Sequence, residues 1–452
     1  MKRTRMAFLG EWLKSSERKP LVIRGARQVG KTWLVRHFAK TEGLKLIEVN
    51  FERKSHNFAS FFTSDDPKRV LLNLEAAFDI SIDQGNSLLF LDEIQAAPEI
   101  LAKLRWFYED LPGLPVIAAG SLLEFVLEAH SFSMPVGRIN YMHLEPLSFE
   151  EFLLASEKKG LFNYLQSYQM DTEIPLAIHN ELMELFKEYI IVGGMPAAVS
   201  SWVGKKSLQT ISQIHHNLMA TYQDDIGKYK GRIETDRVLE VLFAVPKQLG
   251  EKFVFSHINP AMQVATCQHA LSLLSKARVC HPITCCAANG VPLEAEIQDK
   301  NQKFIFLDVG LCSAALGLSF DQVYQAQEIS LINKGGIAEQ VVGQILRTIL
   351  PPFIQPALYY WRREHKGSSA EVDYIAQHGS SVLPIEVKAG STGSLKSLHY
   401  FMGQKGFSFA LRVNSDLPSQ VQVEVKDHQG EIICYTLLSL PFYLLGQLHR
   451  LM

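Results

Sequence analysis

The chain has 452 residues, enough for about three domains at roughly 150 residues each. Its composition, 47% apolar and 20% charged, excludes wholesale disorder, collagen-like repetition and a coiled coil. Lys and Arg number 45 against 47 Asp and Glu, so the net charge of −2 supplies no global field to force binding to nucleic acid or an anionic membrane.

No apolar run reaches the roughly 18 residues of a membrane span. The N-terminus is basic, but its apolar stretch ends before Glu11, too short for the core of a secretory signal. Six scattered cysteines form no C-x-x-C and no zinc ladder. Free thiols in a reducing cytosol are therefore expected, with a cytoplasmic location and no membrane partner.

Short apolar runs at 21–23, 46–49, 88–91 and 116–119 read as buried strands separated by helical patterns, which predicts parallel βαβ units over residues 1–150. From 151 to 250 the strand signal vanishes and helices are expected at 149–154, 182–192 and 211–222, interrupted by Gly193-Gly194-Met195-Pro196. Residues 251–320 read as a helix at 261–275 followed by strands at 279–286 and 303–307, the order of a winged helix. That helix offers Gln263, Gln268 and His269 but no basic residue before Lys276, so packing is expected of it rather than base reading. Residues 325–452 return to α/β patterning, with a helix at 337–350, strands at 357–361, 370–376 and 381–388, a helix near 395–402 and a strand at 407–413.

Gly25-Ala26-Arg27-Gln28-Val29-Gly30-Lys31-Thr32 fits G-x-x-x-x-G-K-[ST], placed after a strand and opening a helix. Its backbone N–H groups and the helix N-terminus can cradle phosphate oxygens. Lys31 would reach the β and γ phosphates, and the Thr32 hydroxyl would ligate Mg²⁺. The apolar strand 87–91 ends in Asp92 and Glu93. Asp92 suits Mg²⁺ or its waters, and Glu93 suits a general base acting on water. Ser121, ending the strand 116–119, is the candidate γ-phosphate sensor. Arg138 is the candidate arginine finger in a neighbouring subunit of an oligomer, with a surface arginine as the alternative. No N-K-x-D motif reads guanine, so ATP is the expected nucleotide.

A second acidic set lies near the C-terminus. Asp373 falls in Glu371-Val372-Asp373-Tyr374, and Glu386 and Lys388 fall in Pro384-Ile385-Glu386-Val387-Lys388. On neighbouring strands, both acids and Lys388 can share one face. Two carboxylates there, with Glu339 from the preceding helix, would suit Mg²⁺, and Lys388 could orient a water. Residues 331–412 carry nine Lys/Arg against five Asp/Glu, a modest excess compatible with DNA as partner.

The chain resembles the bacterial and archaeal AAA-type P-loop ATPases that carry a C-terminal domain of unknown function related to PD-(D/E)XK nucleases. The resemblance rests on the loop 25–32, Leu89-Phe90-Leu91-Asp92-Glu93-Ile94-Gln95, Gly120-Ser121, Gly137-Arg138, residues 145–152, Gly193-Gly194-Met195-Pro196 and residues 306–311. At the C-terminus it rests on Glu339, Trp361-Arg362, Glu371-Val372-Asp373 and residues 385–390. It implies an α/β protein: a P-loop ATPase domain at 1–150, a helical lid at 151–250, a winged helix at 251–320 and a restriction-endonuclease-like domain at 325–452. Two functions follow as expectations. One is an ATPase coupled to a Mg²⁺-dependent endodeoxyribonuclease. The other is an ATP-dependent regulatory switch whose C-terminal domain only binds a partner or nucleic acid.

Overall fold

A computed structural model describes residues 2–53, 57–125, 135, 137–227, 234–318, 335–365, 368–388, 390, 394–426 and 430–452. The expected domain start at 325 and Ala389 of the C-terminal motif lie outside them. The architecture is α/β, built on a parallel sheet of five strands and a mixed sheet of eight.

The first sheet runs β2 (Lys45–Asn50), β3 (Ser87–Asp92), β4 (Val116–Gly120), β1 (Leu21–Arg24), β5 (Asn140–His143), every pairing parallel. Alternation sorts the side chains. Leu21, Ile23, Leu88 and Phe90 join one core, while Val22, Leu89 and Leu91 join another on the opposite face. A sheet covered on both faces explains why its strands read as continuous apolar runs. Helices α1 (Met6–Lys14), α2 (Lys31–Thr41), α3 (Pro67–Phe78) and α4 (Ile100–Asp110) belong to this part. Strand β5 escaped the sequence reading, because its four residues mix polar and apolar side chains and its pairing with β1 makes it a strand.

Helices α5 (Phe149–Ala155), α6 (Lys159–Ser167), α7 (Leu176–Val192), α8 (Pro196–Lys205), α9 (Leu208–Ile226) and α10 (Thr235–Ala244) follow. Ser148 and Glu151 form a reciprocal capping box that starts α5. Next come α11 (Val264–Lys276), β6 (Cys280–Cys286), β7 (Ile297–Phe306) and α12 (Val309–Ala315). Asp308 caps α12 through the N–H groups of Gly310 and Leu311, both at 3.1 Å, and accepts from Gly194 N–H at 2.6 Å. Two segments far apart in the chain, 193–194 and 308–311, are thus tied together in the interior.

The expected winged helix needs correction. Its helix–hairpin order is present, but β6 and β7 do not form a free wing. Strand β6 pairs in parallel with β8 (Leu358–His365), which makes the hairpin the outer pair of the eight-stranded sheet. A two-stranded hairpin alone is marginal, and lateral pairing stabilises it. The order is β12 (Ser419–Lys426), β13 (Ile432–Pro441), β11 (Phe409–Asn414), β10 (Ser381–Val387), β9 (Ser368–His378), β8, β6, β7. Helix α13 (Gly336–Thr348) packs against the core shared with the first sheet. Helix α14 (Lys396–Lys405) covers the other face through Leu398, Phe401 and Met402. Among the described residues no helix is long and apolar enough to cross a membrane.

Candidate functional site

The loop 25–30 joins the carboxyl end of β1 to α2, with Gly30 at the helix N-cap. Gly25 is required by crowding, since a Cβ there would lie 2.4 Å from the carbonyl oxygen of Leu144. Gln28 adopts the left-handed conformation at φ 64°, a strain that clusters at ligand-holding loops. Helix α9 grips the loop: Arg27 donates to both carboxylate oxygens of Asp225 at 2.5 and 2.6 Å, and the Tyr222 hydroxyl donates to Arg27 O at 2.8 Å. Arg3 donates to Val29 O at 3.3 Å. Arg3, Tyr222 and Asp225 had no sequence signal for this role, because each reaches the loop from a distant segment.

Lys31 is buried and donates to the carbonyls of Gly25 at 3.0 Å and Ala26 at 2.8 Å. Burial lowers its pKa to about 8, with Glu93 and Asp92 opposing and Arg278 adding to the lowering. The Thr32 hydroxyl lies 3.2–3.3 Å from the two oxygens of Asp92, and Asn50 donates to Asp92 at 3.2 Å. Burial, then the charge of Glu93, raises the Asp92 pKa to about 6. An under-compensated carboxylate beside a hydroxyl is a hard-oxygen pair that fits Mg²⁺.

Glu93 follows β3 in the left-handed conformation at φ 52°, which turns it out of the strand line. Its carboxylate accepts from the Gln95 amide at 2.5 Å. Gln95 in turn packs on the end of β4, where a Cβ on Gly120 would lie 2.4 Å from its Oε1. Sequence reasoning quoted Gln95 but assigned it no role. Ser121 is buried beside this point, its hydroxyl without a hydrogen-bond partner. Lys31, Thr32, Asp92, Glu93 and Ser121 all sit at the carboxyl edge of the parallel sheet, where α/β folds bind ligands. Arg138 does not join them. It precedes β5, at the opposite end of that strand from His143, and pairs with Glu109 of α4 at 3.2 Å while 44% exposed.

A network of ion pairs leaves this edge. Arg278, at φ 60° between α11 and β6, donates to Glu124 through Nε at 3.0 Å and Nη2 at 2.7 Å, and to His143 Nδ1 at 3.2 Å. Arg347 of α13 clasps Glu145 at 2.9 and 3.3 Å, and Arg278 lies 3.9 Å from the same carboxylate. Burial would raise the Glu145 pKa, but Arg347, His281 and Arg278 hold it down to about 2. Burial and Arg278 lower His143 to about 4, so it is neutral at pH 7.

The C-terminal acids also meet, in company the sequence did not predict. Asp373 accepts from Val387 N–H at 2.7 Å, and Lys388 donates to Glu386 Oε1 at 2.7 Å. Glu386 Oε2 is buried without a partner. Lys303 of β7, with a side chain 0% exposed, lies 3.3 Å from Glu339, forms an ion pair with Glu371 and stands 5.1 Å over the Tyr360 ring. Burial alone would lower the Lys303 pKa, but Glu339, Glu371 and Asp373 raise it. Burial raises Glu339 to about 7, and burial and Glu386 raise Asp373. Among the described residues no group of three or more His, Cys, Asp or Glu side chains is arranged to hold a metal.

Three family models match segments of the chain. Residues 17–153 match the AAA domain, 183–322 a domain of unknown function (DUF8612), and 334–429 a second domain of unknown function (DUF4143). No curated protein matches the chain. Among solved structures, a Walker-type ATPase of Pyrococcus abyssi is 16% identical with a TM-score of 0.43, the match covering 70% of this chain and 95% of that one. The ORC2 protein of Aeropyrum pernix in its ADP form is 13% identical with a TM-score of 0.30, covering 72% and 95%. Likeness that distant carries no functional inference. With the five-stranded parallel sheet and the loop geometry, the family match makes residues 17–153 an AAA-type P-loop domain.

Proposed function

We propose that this protein binds ATP with Mg²⁺ and hydrolyses it to ADP and phosphate, and that the nucleotide state is relayed to the C-terminal sheet. The observation that carries the reading is the convergence of Lys31, Thr32, Asp92 and Glu93 at one sheet edge. Loop N–H groups and Lys31 hold the phosphates. Thr32 and Asp92 would hold Mg²⁺, which offsets charge on the β and γ phosphates. Glu93, aimed by Gln95, takes the proton from the attacking water as the water oxygen bonds to the γ phosphorus and ADP leaves. Ser121 offers its hydroxyl to the γ-phosphate. Arg138 in trans would need an oligomer.

Arg278 and Arg347 support the relay, since both reach the nucleotide edge from elements of the C-terminal half. For that half, the non-cutting switch is favoured over the endodeoxyribonuclease, because buried Lys303 already compensates the acids. Its binding partner would be DNA or protein; support for DNA is the modest basic excess of residues 331–412.

One experiment addresses both halves: nucleotide binding, phosphate release and supercoiled-plasmid integrity in Mg²⁺. Wild type should turn ATP over and leave plasmid intact. Glu93→Gln should bind ATP normally and lose roughly 10²–10⁴-fold in turnover. Unchanged turnover would remove Glu93 as the base, and plasmid cutting abolished by Asp373→Ala would restore the nuclease.

A further inference from the structure

Charged groups buried on a sheet face need compensation, and a nuclease-type centre obtains it from a divalent cation held by carboxylates. In this protein the compensation comes from the chain itself. Lys303 projects from β7, a strand outside the C-terminal motif, and its ammonium lies between Glu339 on α13 and Glu371 on β9. The Tyr360 ring closes one side at 5.1 Å. The loop at Gly250 closes another, so tightly that a Cβ there would lie 2.7 Å from Glu339 Oε1. The remaining acids have their own donors: Val387 N–H serves Asp373, and Lys388 serves Glu386.

We infer that the ammonium of Lys303, held by Glu339 and Glu371, stands as a built-in cation beside the acids that the resemblance offers to a divalent metal, so that the C-terminal domain is a metal-independent binding module. Each of the three acids expected to hold Mg²⁺ already has a donor, Glu339 from Lys303, Asp373 from Val387 N–H and Glu386 from Lys388, so the residues do not fit the Mg²⁺ that the nuclease resemblance implies. The Oε2 atom of Glu386 is buried without a hydrogen-bond partner, which leaves one acceptor of the cluster open to a bound group. A Lys ammonium donates three N–H bonds but cannot polarise a water as a metal does, so the cluster can bind and orient without cleaving. The inference deepens the non-cutting reading above and rests on it; the ATPase reading is independent.

The test is Mn²⁺ uptake, followed by the loss of the free-ion paramagnetic resonance signal, in full-length Asp92→Asn, which lacks the carboxylate of the P-loop metal site. No uptake at millimolar Mn²⁺ is expected. The further change Lys303→Ala should create one site per chain, abolished again by Glu339→Gln. Uptake by the Asp92→Asn protein that disappears in Asp373→Asn would overturn the inference, whether or not the Lys303 variant folds. A folded Lys303→Ala protein that takes up no Mn²⁺ would also overturn it. Plasmid cutting without Mn²⁺ uptake would instead sink the non-cutting reading, and ATP binding by the Lys303→Ala protein, measured alongside, reports the nucleotide site separately.

Discussion

Two sites in this protein set a lysine near buried or half-buried carboxylates, and the lysines have opposite tasks. At the nucleotide edge Lys31 turns back to the carbonyls of Gly25 and Ala26, while Asp92 is served by Thr32 and Asn50, and Glu93 by Gln95. Among the described residues no side-chain cation forms an ion pair with Asp92 or Glu93, and burial lowers the pKa of Lys31. At the C-terminal cluster Lys303 lies among the acids and its pKa is raised. The same residue types make a site poised for an external cation in one place and a self-neutralised site in the other. The deciding quantity is where the counter-charge comes from.

Exchanging each lysine for Met separates the two roles. Lys31→Met should lower ATP turnover by roughly 10²–10³-fold with almost no change in denaturant midpoint, because its buried charge is poorly compensated in the folded protein. Lys303→Met should cost about 3 kcal/mol of stability in the same denaturation measurement, because it leaves Glu339 and Glu371, both half-buried, unmatched. Equal stability losses would erase the distinction.

The pH dependence sharpens it. A proton on Asp92, whose pKa is raised to about 6, competes with Mg²⁺, so Mg²⁺-dependent ATP affinity should weaken by roughly tenfold per pH unit as pH falls below 6. On the alkaline side, deprotonation of Lys31 should weaken binding as pH rises through about 8. Titration calorimetry across pH 5–9 reads both limbs, and Asp92→Asn should remove the acid one. The smallest effect is expected at the relay. Arg278→Ala should leave turnover within about tenfold but remove an ATP-induced change in hydrogen exchange on β6 and α13, a coupling of about 1–3 kcal/mol. Retained coupling would place the relay elsewhere.

How far each site could be read in advance follows from the range of its interactions. The phosphate loop was legible because strand, loop and helix are consecutive, and local backbone rules dictate them. Asp92 and Glu93 were legible because a strand end is a local event. Alternation put Glu386 and Lys388 on one face; the pairing of β9 with β10 is what sets Asp373 near Glu386. Lys303 was not legible. It lies in a hairpin expected to be a free wing, and only the parallel pairing of β6 with β8 brings that hairpin to the acids. Arg278 was missed for a related reason: its partners Glu124 and His143 are supplied by folding.

The sequence by itself determined four of the five strands of the first sheet, the nucleotide loop and the acids that end β3, because short-range sterics and period-two burial specify these. Only the tertiary structure decided which charge answers which. Ion pairing depends on the distance and burial of groups distant in the chain, and a residue's local pattern contains neither quantity.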